Sequence, residues 1–282
     1  MDDMTVAPSG RRTGRRRVAV LAGVAVLLGI AFVLVPGMVA GWGSAGGIGD
    51  VGELRDALRV AFAQYWRSGA GELSPALNDV VDYWFRYHVV KAAIAVALLC
   101  ALVALASALW KTAARDGGAG SRRRLVLGTA GAVVVMIAVV ALVAVMANVQ
   151  GAVAPYASIL PMLFDTAVSP DQAGILDDVG RQLAVSVGAG APPALALMID
   201  DFTRYHVAMV VIAAVVAVGL LVASAALWRR RAGRSPGERR VIAGLGLCGV
   251  GLALVCVVVA VANTTTVADP VPALQVLFDG QW

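Results

Sequence analysis

Long apolar runs separated by short polar segments make up most of this chain. Each of five runs is long enough to cross a hydrocarbon core of about 30 Å, which takes about 20 residues of α-helix. The runs cover residues 18–40, 88–110, 125–147, 205–228 and 241–262. Backbone groups in lipid must bond within their own segment, and the polar–apolar alternation of barrel strands is missing. The pattern therefore predicts an all-α, polytopic integral membrane protein with five transmembrane helices.

The composition agrees with this fold class. Hydrophobic residues make up 60% of the chain, charged residues 15%, and the mean hydropathy is +0.82; a soluble domain is about 45–50% apolar and about 25% charged. The basic residues are nearly all arginine, and alanine, valine and glycine abound, which is typical of a GC-rich genome and favours a bacterial plasma membrane. All three cysteines fall inside predicted spans, where we expect them to act as small apolar residues.

The basic residues indicate the topology. Most of the 23 lysines and arginines lie in segments 1–17, 111–124 and 229–240, whereas the acidic residues lie mainly in the other polar segments. Because cytoplasmic loops carry the excess of lysine and arginine, the N-terminus is predicted in the cytoplasm and the C-terminal tail outside. This topology accounts for the basic residues without a nucleic-acid partner. Residues 38–40 lack the small residue that signal cleavage needs, so the first run is predicted to remain as an uncleaved span.

The second half of the chain repeats the first. Residues 75–165 align with residues 193–279, and the matched pairs are Pro75 and Pro193, Asp82 and Asp200, His88 and His206, Trp110 and Trp228, Asn148 and Asn263, and Asp165 and Asp279. The sequence therefore predicts a tandem duplication of a two-span unit, preceded by one extra span. Because each unit crosses the membrane twice, the repeats are parallel and related by an axis along the membrane normal.

Two segments between the spans, 41–74 and 166–192, are amphipathic. The first has apolar residues at helical spacing, namely Leu54, Leu58, Ala61, Phe62 and Tyr65, and residues 174–187 are a weaker counterpart. Each is predicted to form a helix that lies on the outer leaflet or caps the bundle. Neither segment is long enough for an independent catalytic domain, which typically takes about 50–250 residues.

The tripeptide Arg-Tyr-His occurs twice, each time where a long apolar run begins. It contributes the only two histidines of the chain, and each copy is preceded by an aspartate on the same helical face as its arginine. Tyrosines at this end of the spans and tryptophans at the other end are typical of aromatic belts at the two membrane interfaces. The resulting interfacial motif comprises Asp82, Arg86, Tyr87, Trp110, Asp200, Arg204, Tyr205 and Trp228.

The two histidines have two alternative interpretations. In the first, they belong to an interfacial anchor that was duplicated with its helix. In the second, His88 and His206 lie at equal depth on related helices and ligate a haem b or a metal ion. Transport is a third hypothesis for the chain, but Lys91 is the one charged residue within a span and no charge lies near a midplane.

The sequence contains no phosphate-binding loop, zinc-protease motif or nucleophile elbow. It therefore favours a non-enzymatic membrane protein without a cofactor: a scaffold, an accessory subunit or a small permease-like component. The expected partners are the lipid bilayer and either a second copy or another membrane protein, which would bind the helix extensions outside the membrane. The alternative function is a redox membrane protein with haem b on the two histidines.

Overall fold

The computed structural model describes residues 9–42, 48–115, 121–164, 169–186 and 190–279. Within these residues the chain is helical and contains no β-strand. The elements in chain order are α1 (Ser9–Gly41), α2 (Val51–Ser68), α3 (Pro75–Arg115), α4 (Ser121–Val153), α5 (Pro155–Ile159), the 3-10 helix η1 (Leu160–Leu163), α6 (Pro170–Val185), α7 (Pro193–Arg229), α8 (Pro236–Ala268) and α9 (Pro270–Phe278). The match between Asp165 and Asp279 and the C-terminal tail 280–282 involve residues outside the described part.

Five of these helices are long and apolar enough to cross a membrane: α1, α3, α4, α7 and α8. The predicted fold class, an all-α polytopic membrane protein, is confirmed. The helices exceed the predicted spans. Helix α3 has 41 residues, which corresponds to about 60 Å at about 1.5 Å per residue and is roughly twice the hydrocarbon thickness.

The starts of the long helices follow the capping signals in the sequence. Ser74 precedes α3, and its Oγ accepts a hydrogen bond from the Leu77 N–H at 3.3 Å. Helix α7 begins at Pro193 without a side-chain cap. Proline is well tolerated at the first helical position, because the N–H that it lacks would have no hydrogen-bond partner there. Both helices therefore begin well before their apolar runs.

The helices form two compact units, of which the first consists of Met1–Pro36 and Val90–Val145. Its small core contains Leu102, Ala138 and Ala141. The Lys91 ammonium lies 4.6 Å from the centre of the Phe32 ring. Lys91 therefore makes a cation–π contact with α1, an arrangement that its position near the end of an apolar run did not predict.

The second unit consists of Gly37–Val89 and Met146–Trp282. It contains the α7–α8 hairpin and a group of helices that we call the helical cap: α2, α5, η1, α6, α9, residues 75–89 of α3 and residues 193–206 of α7. One hydrophobic core joins these elements. The five apolar positions predicted for α2 are all buried, and α6 buries Ile175, Leu176, Val179 and Leu183. The amphipathic segments thus share a core, and their polar faces are exposed.

Small residues line the packed face of the α7–α8 hairpin. Ala213, Ala217 and Ala253 are buried, and Gly249 packs directly against Ser224 of α7. The opposite faces carry exposed valines and leucines, including Val215 at 67% exposure. In a membrane protein such faces contact lipid, whereas small residues allow two helices to approach closely.

Candidate functional site

Each copy of the Arg-Tyr-His motif places its histidine against an asparagine of the following long helix. His88 Nδ1 lies 3.0 Å from Asn148 Oδ1, and His206 Nδ1 lies 2.7 Å from Asn263 Oδ1. The Asn263 amide nitrogen donates to the Val259 carbonyl at 2.8 Å, so the amide oxygen faces the histidine. Because an amide oxygen only accepts, each Nδ1 carries the proton and donates it. We call these contacts the histidine–asparagine pairs.

Aromatic rings surround both pairs in the same way. The Trp84 ring lies 4.6 Å from the His88 ring at 81°, and the Phe202 ring lies 4.6 Å from the His206 ring at 65°. In each copy the aromatic residue precedes its histidine by one helical turn. Trp84 is held in turn by a hydrogen bond from its indole N–H to Ser158 Oγ at 2.9 Å. The two copies therefore present equivalent contacts at equivalent positions, which supports the predicted duplication.

The second nitrogen of His88 is covered by backbone. A Cβ atom built on Gly151 would lie 2.6 Å from His88 Nε2, so the imidazole rests directly on the glycine. With Nδ1 bonded to Asn148 and Nε2 against Gly151, this ring has no open position for a ligand atom. The contacts of His88 therefore leave neither ring nitrogen open, and a haem b or metal ion between His88 and His206 stays a prediction. Within the described residues no three His, Cys, Asp or Glu side chains form a metal-binding group.

A side chain of helix α7, distant in sequence, caps the N-terminus of α5. Asp201 is a buried residue, 8% exposed, and its Oδ2 accepts a hydrogen bond from the Ala157 N–H at 2.8 Å. The residue before α5, Ala154, has no side chain that can accept such a bond. The first N–H groups of a helix have no partner inside the helix. Asp201 therefore joins α5, near the end of the first predicted repeat, to α7, which begins the second predicted repeat.

Two further hydrogen bonds connect other parts of the cap to α7. The Gln150 amide nitrogen donates to the Tyr205 carbonyl at 3.1 Å, and the Tyr65 hydroxyl donates to the Ala194 carbonyl at 3.3 Å. Burial in the core raises the pKa of the Tyr65 phenol, which keeps it a donor at neutral pH. Each such bond contributes about 1 kcal/mol to stability. Together with Asp201 they bond the first half of α7 to α2, α4 and α5.

Helices α2 and α6 are joined by a polar cluster at the edge of the core. The Trp66 indole N–H donates to Asp178 Oδ2 at 2.9 Å, and Gln182 donates to the same oxygen at 2.8 Å. Arg181 binds the other carboxylate oxygen at 3.0 Å. The hydrogen bond from Trp66 lowers the pKa of Asp178 below its usual value; partial burial opposes this shift, and Arg181 and Gln182 add to it. Asp178 is therefore a charged acceptor at neutral pH.

Tyr156 is a buried phenol in the same core. Its hydroxyl has no hydrogen-bond partner within the described residues, and its ring meets Tyr65 edge-on at 6.3 Å. Burial raises the pKa of Tyr156 well above its usual value, and the neighbouring Tyr65 and Asp201 add to the shift. Because it stays neutral, Tyr156 supplies an aromatic body to the core and does not act as a base.

The acidic and basic residues of the interfacial motif behave differently in the two copies. Arg204 forms an ion pair with Asp200 at 3.0 Å, as the spacing of four residues predicts. In the first copy Asp82 accepts a hydrogen bond from the Asn78 amide at 3.3 Å. Within the described residues no ion pair joins Asp82 to Arg86. The motif is therefore repeated in sequence but only partly in its polar contacts.

The two tryptophans predicted for the other interface pack on glycines. The Trp110 indole nitrogen would lie 2.6 Å from a Cβ atom built on Gly131, and the Trp228 ring makes the equivalent contact with Gly246. Both glycines occupy matching positions of the two repeats. A tryptophan that meets bare backbone in both copies again supports the duplication, which stays a prediction.

The outer surface of the cap is acidic. Acidic side chains outnumber arginines there, and the exposed ones are Asp50, Glu53, Asp56, Glu72, Asp79, Asp82, Asp171, Asp177, Asp200, Asp269 and Asp279. A shallow pocket lined by Arg59, Phe62 and Gln172 has room for about one water molecule. The described part of the cap therefore offers a broad charged surface and a pocket too small for an organic ligand.

Several residues with structural roles were not predicted from the sequence. The sequence pairs Asn148 with Asn263 only as matched positions of the predicted repeat, and it gives no signal for Asp201 or Gly151. One signal in the sequence could have found the two asparagines, namely their position along each repeat. The two spans of a repeat are antiparallel, so an asparagine at the end of the second span lies at the same depth as the histidine at the start of the first.

No protein-family model matches the chain, and no curated protein or solved structure matches it.

Proposed function

We propose that this protein is a scaffold or accessory subunit of the bacterial plasma membrane, and that its helical cap binds a partner protein outside the cytoplasm. The observation that carries the proposal is the cap itself. Segments from both halves of the chain build one hydrophobic core there, and hydrogen bonds join α7 to α2, α4 and α5. A rigid, water-exposed module of this kind is suited to protein binding.

The spans provide little support for a permease. The buried polar or charged residues in the described part of the chain are Asn148, Gln150, Asp201 and Ser224. Of these, Ser224 alone lies within an apolar run, and it packs against Gly249. A pathway for a polar solute needs polar groups at several depths, because a charged or polar solute in hydrocarbon is costly. A partner-binding role is therefore the stronger candidate.

The acidic outer surface indicates the charge of the partner. An exposed face of α2 carries Glu53, Asp56, Val60 and Gln64 at helical spacing, and Val60 is 58% exposed. An apolar residue flanked by carboxylates fits a partner surface that has an apolar pocket with basic residues at its edge. We therefore propose this face of α2 as the contact surface.

A photo-crosslinking amino acid at Val60, introduced into the full chain in its native membrane, tests the proposal. We expect one discrete protein adduct, and we expect the charge reversal Asp56→Lys to weaken it. The matched control carries the crosslinker at Leu247, which is 68% exposed on a lipid-facing part of α8 and should give no discrete protein adduct. An adduct with a second copy of the chain would identify self-association. Identical, diffuse labelling from Val60 and Leu247 would contradict a role in partner binding.

A further inference from the structure

The turn between α7 and α8 is short, and it carries an unusual concentration of charge. Helix α7 ends at Arg229, and Gly233 adopts the left-handed conformation with φ +75°. Ser235 then caps α8 by accepting a hydrogen bond from the Glu238 N–H at 3.4 Å. Residues 229–240, which we call the arginine turn, contain six arginines and one acidic residue.

The one carboxylate of the arginine turn is already engaged. Glu238 Oε2 accepts hydrogen bonds from the Ser235 N–H at 3.1 Å and from the Ser235 hydroxyl at 3.0 Å. Its other oxygen lies 3.5 Å from Arg234. Within the described residues none of the other five arginines of the turn has a carboxylate within ion-pair distance. The turn therefore presents several guanidinium groups that no acidic side chain among the described residues neutralises.

The packing of the hairpin fixes the depth of these arginines. The Trp228 ring packs on Gly246, so α8 extends past the end of α7. From Arg240 to Gly246 is a distance of about 9 Å at about 1.5 Å per residue. Tryptophan at the end of a span belongs at the membrane–water interface, and the headgroup layer beyond it is about 5–8 Å thick. The Cα atoms of Arg239 and Arg240 accordingly lie near the outer boundary of the headgroup layer, and their long side chains extend back to the phosphates.

We propose that the arginine turn binds the phosphate of an anionic phospholipid. The guanidinium fork matches a phosphate oxygen pair, and it binds phosphate more specifically than lysine does. Arg239 and Arg240 also lie near the N-terminus of α8, where the helix dipole disfavours positive charge and favours an anion. Topology alone requires positive charge on this side of the membrane but no particular arrangement of it.

Native mass spectrometry of the full chain in mild detergent tests this inference, with phosphatidylglycerol titrated against phosphatidylcholine. We expect the wild type to retain phosphatidylglycerol preferentially. The exposed double variant Arg239→Gln/Arg240→Gln should bind it on the order of ten- to a hundredfold more weakly, because each charge-assisted contact contributes about one factor of ten. The variant Arg239→Lys/Arg240→Lys keeps the charge and should fall between the two.

The control variant Arg16→Gln/Arg17→Gln removes the same charge from two exposed arginines of α1. It should retain phosphatidylglycerol as the wild type does. Equal binding of phosphatidylglycerol by all variants would overturn the proposal and leave the arginines a role in membrane topology alone. An equal loss of phosphatidylglycerol binding in the α1 control would also overturn it, because the attraction would then be unspecific. Complete displacement of the lipid by excess inorganic phosphate would assign the site to a soluble anion and likewise overturn it. Neither result depends on partner binding by the cap.

Discussion

The substitution Gly151→Ala tests whether the first histidine–asparagine pair stabilises the protein. A Cβ atom at position 151 would lie 2.6 Å from His88 Nε2 and 2.7 Å from its Cε1. The imidazole cannot turn away freely, because Nδ1 is bonded to Asn148 at 3.0 Å and the Trp84 ring lies edge-on at 4.6 Å. We therefore expect the added methyl group to displace the ring and break its hydrogen bond.

Three contributions set the size of the effect. Overpacking of a filled site costs about 1–3 kcal/mol, and the loss of a hydrogen bond between membrane helices costs about 0.6 kcal/mol on average. Alanine gains about 1 kcal/mol over glycine within a helix. The net expectation is a loss of about 0.6–2.6 kcal/mol in the free energy of unfolding. The same change at Gly128 is the matched control, since its added Cβ would meet nothing within 4 Å.

Unfolding in mixed micelles, with increasing sodium dodecyl sulfate and circular dichroism as the readout, measures these differences. We expect Gly151→Ala to unfold at a lower detergent fraction than the wild type, and Gly128→Ala to match or exceed the wild type. In a His88→Ala background, Gly151→Ala should lose most of its effect because the clash is gone. Equal midpoints for the two glycine variants in the wild-type background would refute the reasoning.

Three other predictions concern the cap and α1. Asp201→Ala removes the cap of α5 and should cost about 1–2 kcal/mol, with faster amide exchange in α5 as the local readout; unchanged exchange would show that α5 does not depend on this cap. Trp66→Phe removes the bond that lowers the pKa of Asp178 below 3.8. The wild type should be more stable than this variant at neutral pH, and the difference in the free energy of unfolding should shrink as the pH falls below 3.8. Unfolding measured at several pH values tests this; a difference that does not change with pH would contradict the link between the Trp66 hydrogen bond and the pKa of Asp178. Lys91→Met should weaken the contact with Phe32 and lower stability by about 0.5–1 kcal/mol in the same micelle assay, whereas an equal or higher midpoint would contradict a stabilising contact.

The sequence predicts the elements of this fold well, because each depends on local chemistry. Apolar length predicts the five spans, and helical spacing identifies the face of α2 that carries Leu54, Leu58 and Phe62 into the core. Ser74 and Pro75 place the start of α3 well before its apolar run. Each of these signals operates within a few residues, so it can be read without knowledge of the other helices.

The contacts that join helices are harder to predict, because they depend on depth and rotation. Asn148 reads as an ordinary polar residue at a span end until the position of His88 on the neighbouring helix is known. Gly151 has no signal of its own, since a glycine in an apolar helix is common. Asp201 resembles its neighbour Asp200, yet one caps α5 and the other pairs with Arg204. One residue of rotation along α7, about 100°, separates these two roles.

The shared core of the cap has a consequence for biosynthesis. Helix α6 is made before α9, yet α9 packs against it, and Leu274 of α9 is fully buried in the core that the two helices share. At about 5–20 residues per second, the roughly 85 residues between these helices take about 4–17 s to synthesise. During that interval the apolar face of α6 lacks part of its cover, so the nascent chain needs a chaperone or the membrane surface until α9 arrives.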